Sequence, residues 1–277
     1  MKTIKPTHEG KGLFWDRDKP LPRSIADYLL AKIFVGDFKP GDKFPPDRVL
    51  AEQLGVDRTS LRSALSELAG RNIIKAVKGS GVIVLDYREH AGIDFLDAVF
   101  GMPDINLGSA LNLELLDHVI EVMPIIAKTA LTRATRYELA AIDRLFQEQL
   151  DLLEKGASVH DLAVLEVKIQ DTVINLAGSL ILKLFANSMR KLRVQFSTSF
   201  LSHVDARKHI KALRAGLRAF MVGKMSPEEL AEMLNAYMKD TTSVQRQSLA
   251  NFASNPTWKK PSKKKKAVKS AINKTIK

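Results

Sequence analysis

Apolar residues follow two regimes along the chain. Through residues 25–85 they come in short, punctuated groups; beyond about residue 110 they recur in long stripes at helical spacing. In the first regime Ile25, Tyr28, Leu29 and Ile33 mark one face of a helix. Lys39-Pro40-Gly41-Asp42 reads as a turn. A second helix is expected from Pro46 or Asp47, with Val49, Leu50 and Leu54 inward and Gly55 as a left-handed stop. Asp57 is the expected N-cap of a third helix whose apolar stripe is Leu61, Ala64, Leu65 and Leu68. Asn72 tolerates the left-handed conformation where that helix ends. Residues 73–77 and 82–85 are β-rich, and Lys78-Gly79-Ser80-Gly81 between them predicts a hairpin.

Residues 86–92 read as a polar connection, after which strand signals stop. Helices are expected near 111–134, 136–154, 159–177, 180–200, 205–222 and 227–252, with breaks at Gly156, Gly178, Gly223 and Pro227. Leu116, Ile120, Met123 and Ala127 form one stripe; Phe185, Met189, Leu192 and Phe196 form another. The expected fold is mainly α: an N-terminal winged helix-turn-helix with a two-stranded wing, then an all-α bundle. The expected divisions are a flexible arm at 1–20, the winged domain at 21–87, the helical domain at 88–254 and a disordered lysine-rich tail at 255–277.

Charge sharpens this picture. The 277 residues carry a net charge of +12, unevenly spread. Residues 1–90 hold 16 basic and 12 acidic side chains, residues 91–254 hold 18 and 19, and residues 255–277 hold 9 lysines and no acid. A basic front and a cationic tail point to a polyanion partner, although a charge run can also be a solvated face. Cysteine is absent, which excludes disulfides and thiolate zinc sites and fits a reducing interior. No apolar run approaches a membrane span and no signal peptide is visible, so a cytoplasmic, nucleoid-associated protein without membrane contact is expected. Dinucleotide, P-loop, zinc-protease and nucleophile-elbow motifs are missing, so no enzyme, cofactor or catalytic residue is expected.

The third helix has the makings of a DNA-reading element. Arg58 and Arg62 lie one turn apart, off the apolar stripe, where guanidinium groups can bridge guanine N7 and O6. Thr59 and Ser60 can donate to phosphates or bases, and Arg48 on the preceding helix can touch the backbone or a base edge. In the hairpin, Gly79 lets the backbone approach closely, and Lys78 can bind phosphate or probe the minor groove.

Residues 22–85 resemble the winged helix-turn-helix domain of the GntR family of bacterial transcription regulators. The resemblance rests on Lys39-Pro40-Gly41-Asp42, Pro45-Pro46-Asp47-Arg48, Leu50-Ala51, Leu54-Gly55-Val56-Asp57-Arg58-Thr59, Leu61-Arg62, Ala64-Leu65 and Gly79-Ser80-Gly81, in that order. It implies operator contacts from Arg48, Arg58, Thr59, Arg62 and Gly79. Two departures are Pro46, where the family usually has Ser, and Asp57, where it has Ser or Thr.

The helical half resembles that of the FadR subfamily, which implies a homodimer that binds a small effector. Many members hold a metal through an Asp-x3-His pair and two later histidines. Aligned on Ala177-Gly178-Ser179, the pair positions fall on Glu166 and Gln170; Leu213 takes the first later histidine, and Tyr237 or Met238 falls near the last. These side chains are poor metal ligands, so no metal is expected. Met123 stands where relatives often have an arginine facing the pocket. Met123, Glu166, Gln170, His209 and Leu213 are the expected effector-facing residues, and the effector is expected to be apolar or acyl-CoA-like. The leading expectation is a dimeric, effector-responsive regulator of double-stranded DNA with an inverted-repeat operator. The alternatives are a sequence-tolerant architectural DNA binder and, for the effector, a metal-dependent organic-acid sensor.

Overall fold

The computed structural model describes residues 19–102, 105–251 and 254–258. Residues 1–18 of the arm expected at 1–20, and the lysine run from 259 onward, lie outside the described residues. The chain divides into two compact units: one contains the described residues to Asn106 together with 256–258, the other spans Leu107–Asn255.

In the first unit, α1 (Leu21–Phe34), α2 (Asp47–Leu54) and α3 (Arg58–Gly70) are followed by the hairpin β1 (Ile74–Val77) and β2 (Gly81–Val84). Ile25, Leu29, Leu30, Leu50, Leu54, Leu61, Leu68 and Ile73 are fully buried and hold these elements together. Gly55 ends α2 at φ 65°, and Asn72 follows α3 at φ 55°. The antiparallel hairpin pairs Ile74 with Val84 and Val77 with Gly81, leaving Lys78, Gly79 and Ser80 at its tip. Residues 41–44 pair along the free edge of β2, through Phe44 N–H to Val82 O at 2.8 Å and Val84 N–H to Asp42 O at 2.9 Å.

The boundary expected at 87/88 falls inside this unit. Two short helices follow the wing, α4 (Tyr87–His90) and α5 (Ile93–Phe100), where a polar connection was expected. Phe95, Ala98, Val99 and Phe100 are buried, and α5 packs on α1. Tyr87 stacks on Phe95 with ring centroids 4.5 Å apart, and Phe34 meets both rings at 6.0 Å. This aromatic contact, invisible to periodicity, is why the segment belongs with the winged unit. Two further strands were also not expected: β3 (Ile105–Asn106) pairs antiparallel with β4 (Thr257–Trp258). Trp258 meets Tyr28 of α1 edge-on, centroids 5.5 Å apart. Strand β4 thus falls within the first residues of the tail expected from 255.

The second unit is helical: α6 (Ser109–Arg133), α7 (Arg136–Glu154), α8 (Val159–Leu176), α9 (Leu180–Ser188), α10 (Arg190–Leu201), α11 (Ala206–Met221), α12 (Pro227–Thr241) and α13 (Ser243–Ala250). Capping boxes start α7, α8 and α12, at Thr135/Glu138, Ser158/Asp161 and Ser226/Glu229. The expected helix 180–200 is broken at Met189, and the expected helix 227–252 at Thr242. Neither break has a glycine or proline. Arg193 Nη1 donates to the Ala186 carbonyl at 3.3 Å near the end of α9, and the Thr242 hydroxyl donates to Met238 O at 2.6 Å near the end of α12. α8 packs against α6, α7, α9 and α10. Asp143 of α7 takes paired bonds from Arg214 and Arg218 of α11, and these hold its carboxyl far below the usual carboxylate range.

Candidate nucleic-acid interface and ligand cavity

The first candidate site lies on α2, α3 and the hairpin tip. Arg58 is the first residue of α3, directly after its N-cap. Asp57 accepts a hydrogen bond from Ser60 N–H at 2.8 Å, so the helix starts at a fixed point. That backbone bond also holds the Asp57 carboxyl below its ordinary value, so the cap remains charged at neutral pH. Leu61, Ala64, Leu65 and Leu68 are buried, which turns the opposite face outward. Arg48, Arg58, Thr59 and Arg62 are exposed, and Ser60 is half-buried. Lys78 and Gly79 are exposed at the wing tip, where Gly79 has φ 76°. Adding a Cβ at Gly79 meets nothing within 4 Å, so its backbone conformation, and not crowding, favours glycine there.

Sequence reasoning missed one contact. Arg62 Nε lies 2.8 Å from Asp47 Oδ2, while the Arg62 side chain stays 66% exposed. Arg48 and Arg58 make no ion pair among the described residues. The Nε contact fixes the Arg62 side chain and leaves its two terminal nitrogens free to form a fork. In the sequence Asp47 reads only as a possible start of the second helix. Its partner lies fifteen residues on, and only the angle between α2 and α3 brings the two together.

The second candidate site is a cavity of about 220 Å³ in the helical unit. Met123, Glu166, Gln170, His209 and Leu213, the expected effector-facing residues, all line it. Its wall is largely apolar, with Leu116, Ile142, Phe146, Ile169, Leu217 and Met233 among the contributors. Arg193, Ser197, Thr242 and Gln245 also line it and carried no sequence signal, because α10 and α13 read as ordinary helix faces. Glu166 is buried and accepts a bond from Gln149 Nε2 at 3.0 Å. Gln170 Nε2 points to Ser197 Oγ at 3.5 Å, and its Oε1 accepts from Arg193 Nε at 3.2 Å. His209 is 6% exposed, and its Nδ1 lies 3.0 Å from the Tyr237 hydroxyl. Burial holds His209 below the ordinary histidine value, with the Glu166 charge opposing in part. Burial likewise raises Tyr237, and Glu166 adds to that shift. Among the described residues no three His, Cys, Asp or Glu side chains converge, and no helix is long and apolar enough to cross a membrane.

Comparison with known proteins agrees with this geometry. Residues 21–84 match the family model described as bacterial regulatory proteins, gntR family. The HTH-type transcriptional regulator Mce2R of Mycobacterium tuberculosis is 29% identical over 62% of this chain and 70% of its own length. The fatty acid metabolism regulator protein of Serratia proteamaculans is 24% identical over 79% of this chain and 87% of its own. A solved structure described as "Lar controls the expression of the Listeria monocytogenes agr system and mediates virulence" shares the fold, with a TM-score of 0.51 at 17% identity. It covers 84% of this chain and 100% of its own. Residues 21–84 are thus a helix-turn-helix domain of the gntR family of bacterial regulatory proteins, and the chain that carries it is a GntR-type transcription regulator.

Proposed function

We propose that this regulator acts as a cytoplasmic homodimer that reads an inverted-repeat operator and is switched by a small apolar effector, without catalysing a reaction. DNA reading is assigned to the first unit, with Arg58 and Arg62 facing bases, Arg48, Thr59 and Ser60 facing phosphate or base edges, and Lys78-Gly79 at the wing. The observation that carries this is the outward face of α3: two guanidinium groups one turn apart, on a helix whose other face is fully committed to the core. Dimerisation is assigned to the helical unit. Its α9 leaves Leu180, Ile181 and Leu184 exposed, an apolar face of the kind a second copy covers. Effector binding is assigned to the cavity, and its apolar wall favours an apolar ligand over a metal-bound organic acid. Effector and operator affinities are then reciprocally coupled.

The Asp47–Arg62 contact gives a first check. Asp47→Asn is expected to loosen Arg62 and broaden selection at its base pair, while total affinity changes by no more than about 1 kcal/mol, as for an exposed ion pair. Anisotropy titrations with operators substituted at single positions would read this. Unchanged selectivity would mean the pair does not orient Arg62.

Salt titration separates this reading from an architectural DNA binder. Trp258, the last described residue, lies in the first unit against Tyr28 of α1. Deleting residues 259–277 is expected to flatten the salt dependence on operator and scrambled duplexes alike, by roughly 0.9 in log–log slope per lost phosphate contact. The ratio of operator to scrambled affinity is expected to survive. If that ratio collapses with the tail, sequence reading does not reside in α3.

A further inference from the structure

The polar lining of the cavity can be read donor by donor. Arg193, its one arginine, is committed: Nη1 reaches Asp171 Oδ1 at 2.7 Å and Ala186 O at 3.3 Å, Nη2 reaches Val167 O at 3.3 Å, and Nε is taken by Gln170. Asp171, paired also with Arg190, answers the Arg193 charge from outside the cavity lining. The Thr242 hydroxyl is spent on the backbone, and the Gln170 amide points at Ser197. His209 is buried, with its Nδ1 3.0 Å from the Tyr237 hydroxyl, and burial lowers its pKa.

Glu166 is in the opposite condition. It lines the cavity with a single hydrogen bond, the one from Gln149, and faces no cation. A buried carboxylate short of donors costs free energy that a ligand can recover. Gln245 is only 1% exposed and its Nε2 donates to Ser199 Oγ at 3.4 Å; its Oε1 is sealed from the cavity space and offers a ligand nothing. An anion placed here meets a buried carboxylate and no uncommitted positive charge.

We propose that the cavity selects a compact aliphatic ligand whose head donates hydrogen bonds, foremost a primary amine and secondarily an alcohol, with Glu166 as its acceptor, and that it rejects carboxylates and acyl-CoA. This rests on the cavity being the effector site and replaces the acyl-CoA-like head expected from the resemblance. The cavity, at about 220 Å³, is smaller than the ~300–1,000 Å³ usual for drug-sized ligands, so the body is short.

The test is calorimetric titration of the full chain with four probes of one chain length: octylamine, 1-octanol, octanoate and octanoyl-CoA. Octylamine is expected to bind best, octanol more weakly, and the two acids not measurably. Glu166→Gln is expected to weaken octylamine about tenfold or more, the loss of a charge-assisted bond, with a smaller loss for octanol, which a glutamine can still accept. Should that variant fail to fold, the order of the four probes on the parent chain decides the head assignment by itself. Octanoate or octanoyl-CoA binding as tightly as octylamine overturns the head assignment and keeps the effector site. No binding of any probe by protein that still binds operator overturns both.

Discussion

Replacing Arg58 with alanine is expected to weaken operator binding by roughly 1–3 kcal/mol and to relax selection at one base pair in each half-site. Arg58 heads α3, where residues of a recognition helix meet base edges, and Asp57 fixes that start through Ser60 N–H. Unlike Arg62, it makes no ion pair among the described residues, so no protein contact has to yield when it meets DNA. The loss should appear on operator and scarcely on scrambled duplex, because phosphate contacts are made elsewhere. Arg58→Lys separates charge from geometry: it retains the attraction but lacks the planar fork that spans guanine N7 and O6, and should behave almost as poorly as alanine. Anisotropy titrations on the operator and its singly substituted forms would measure this. Full affinity with unchanged selectivity in Arg58→Ala would remove Arg58 from the reading surface.

Leu213→Trp is expected to abolish the effector response while operator binding persists. Leu213 lines the cavity from α11, and an indole there occupies the space a ligand needs. A ligand present at a hundred times its Kd stabilises a protein by about 2.7 kcal/mol, visible as a raised melting temperature. The variant should show no such rise with a probe that stabilises the parent chain, and its operator affinity should no longer depend on that probe. Retention of both effects would place the effector outside the cavity.

Local features of the sequence foretold the winged unit well. Gly55, Asp57, Asn72 and the Gly79/Gly81 turn act within a few residues of themselves, so α2, α3 and the hairpin could be outlined from spacing alone. Features set by distant partners could not. The apolar stripe of α5 does not state which unit it will cover; the stack of Tyr87 on Phe95 decides that. Strands β3 and β4 are two residues each and lie some 150 positions apart, too short and too remote for any pattern to announce. The breaks at Met189 and Thr242 interrupt continuous helical periodicity without a glycine or proline, so no local signal in the sequence marks them. For the cavity, resemblance supplied the register that gathered Met123, Glu166, Gln170, His209 and Leu213, and all five line one space. Arg193 could not be found this way, because its importance lies in which of its hydrogen bonds are already made.

Sequence reading by α3 is tested most directly by selecting bound duplexes from a random pool with the full chain. The expected outcome is convergence on an inverted repeat with an invariant guanine in each half-site, lost at that position alone when the selection is repeated with Arg58→Ala. A pool that enriches no motif, or the same motif from both proteins, would contradict the assignment of DNA reading to this helix.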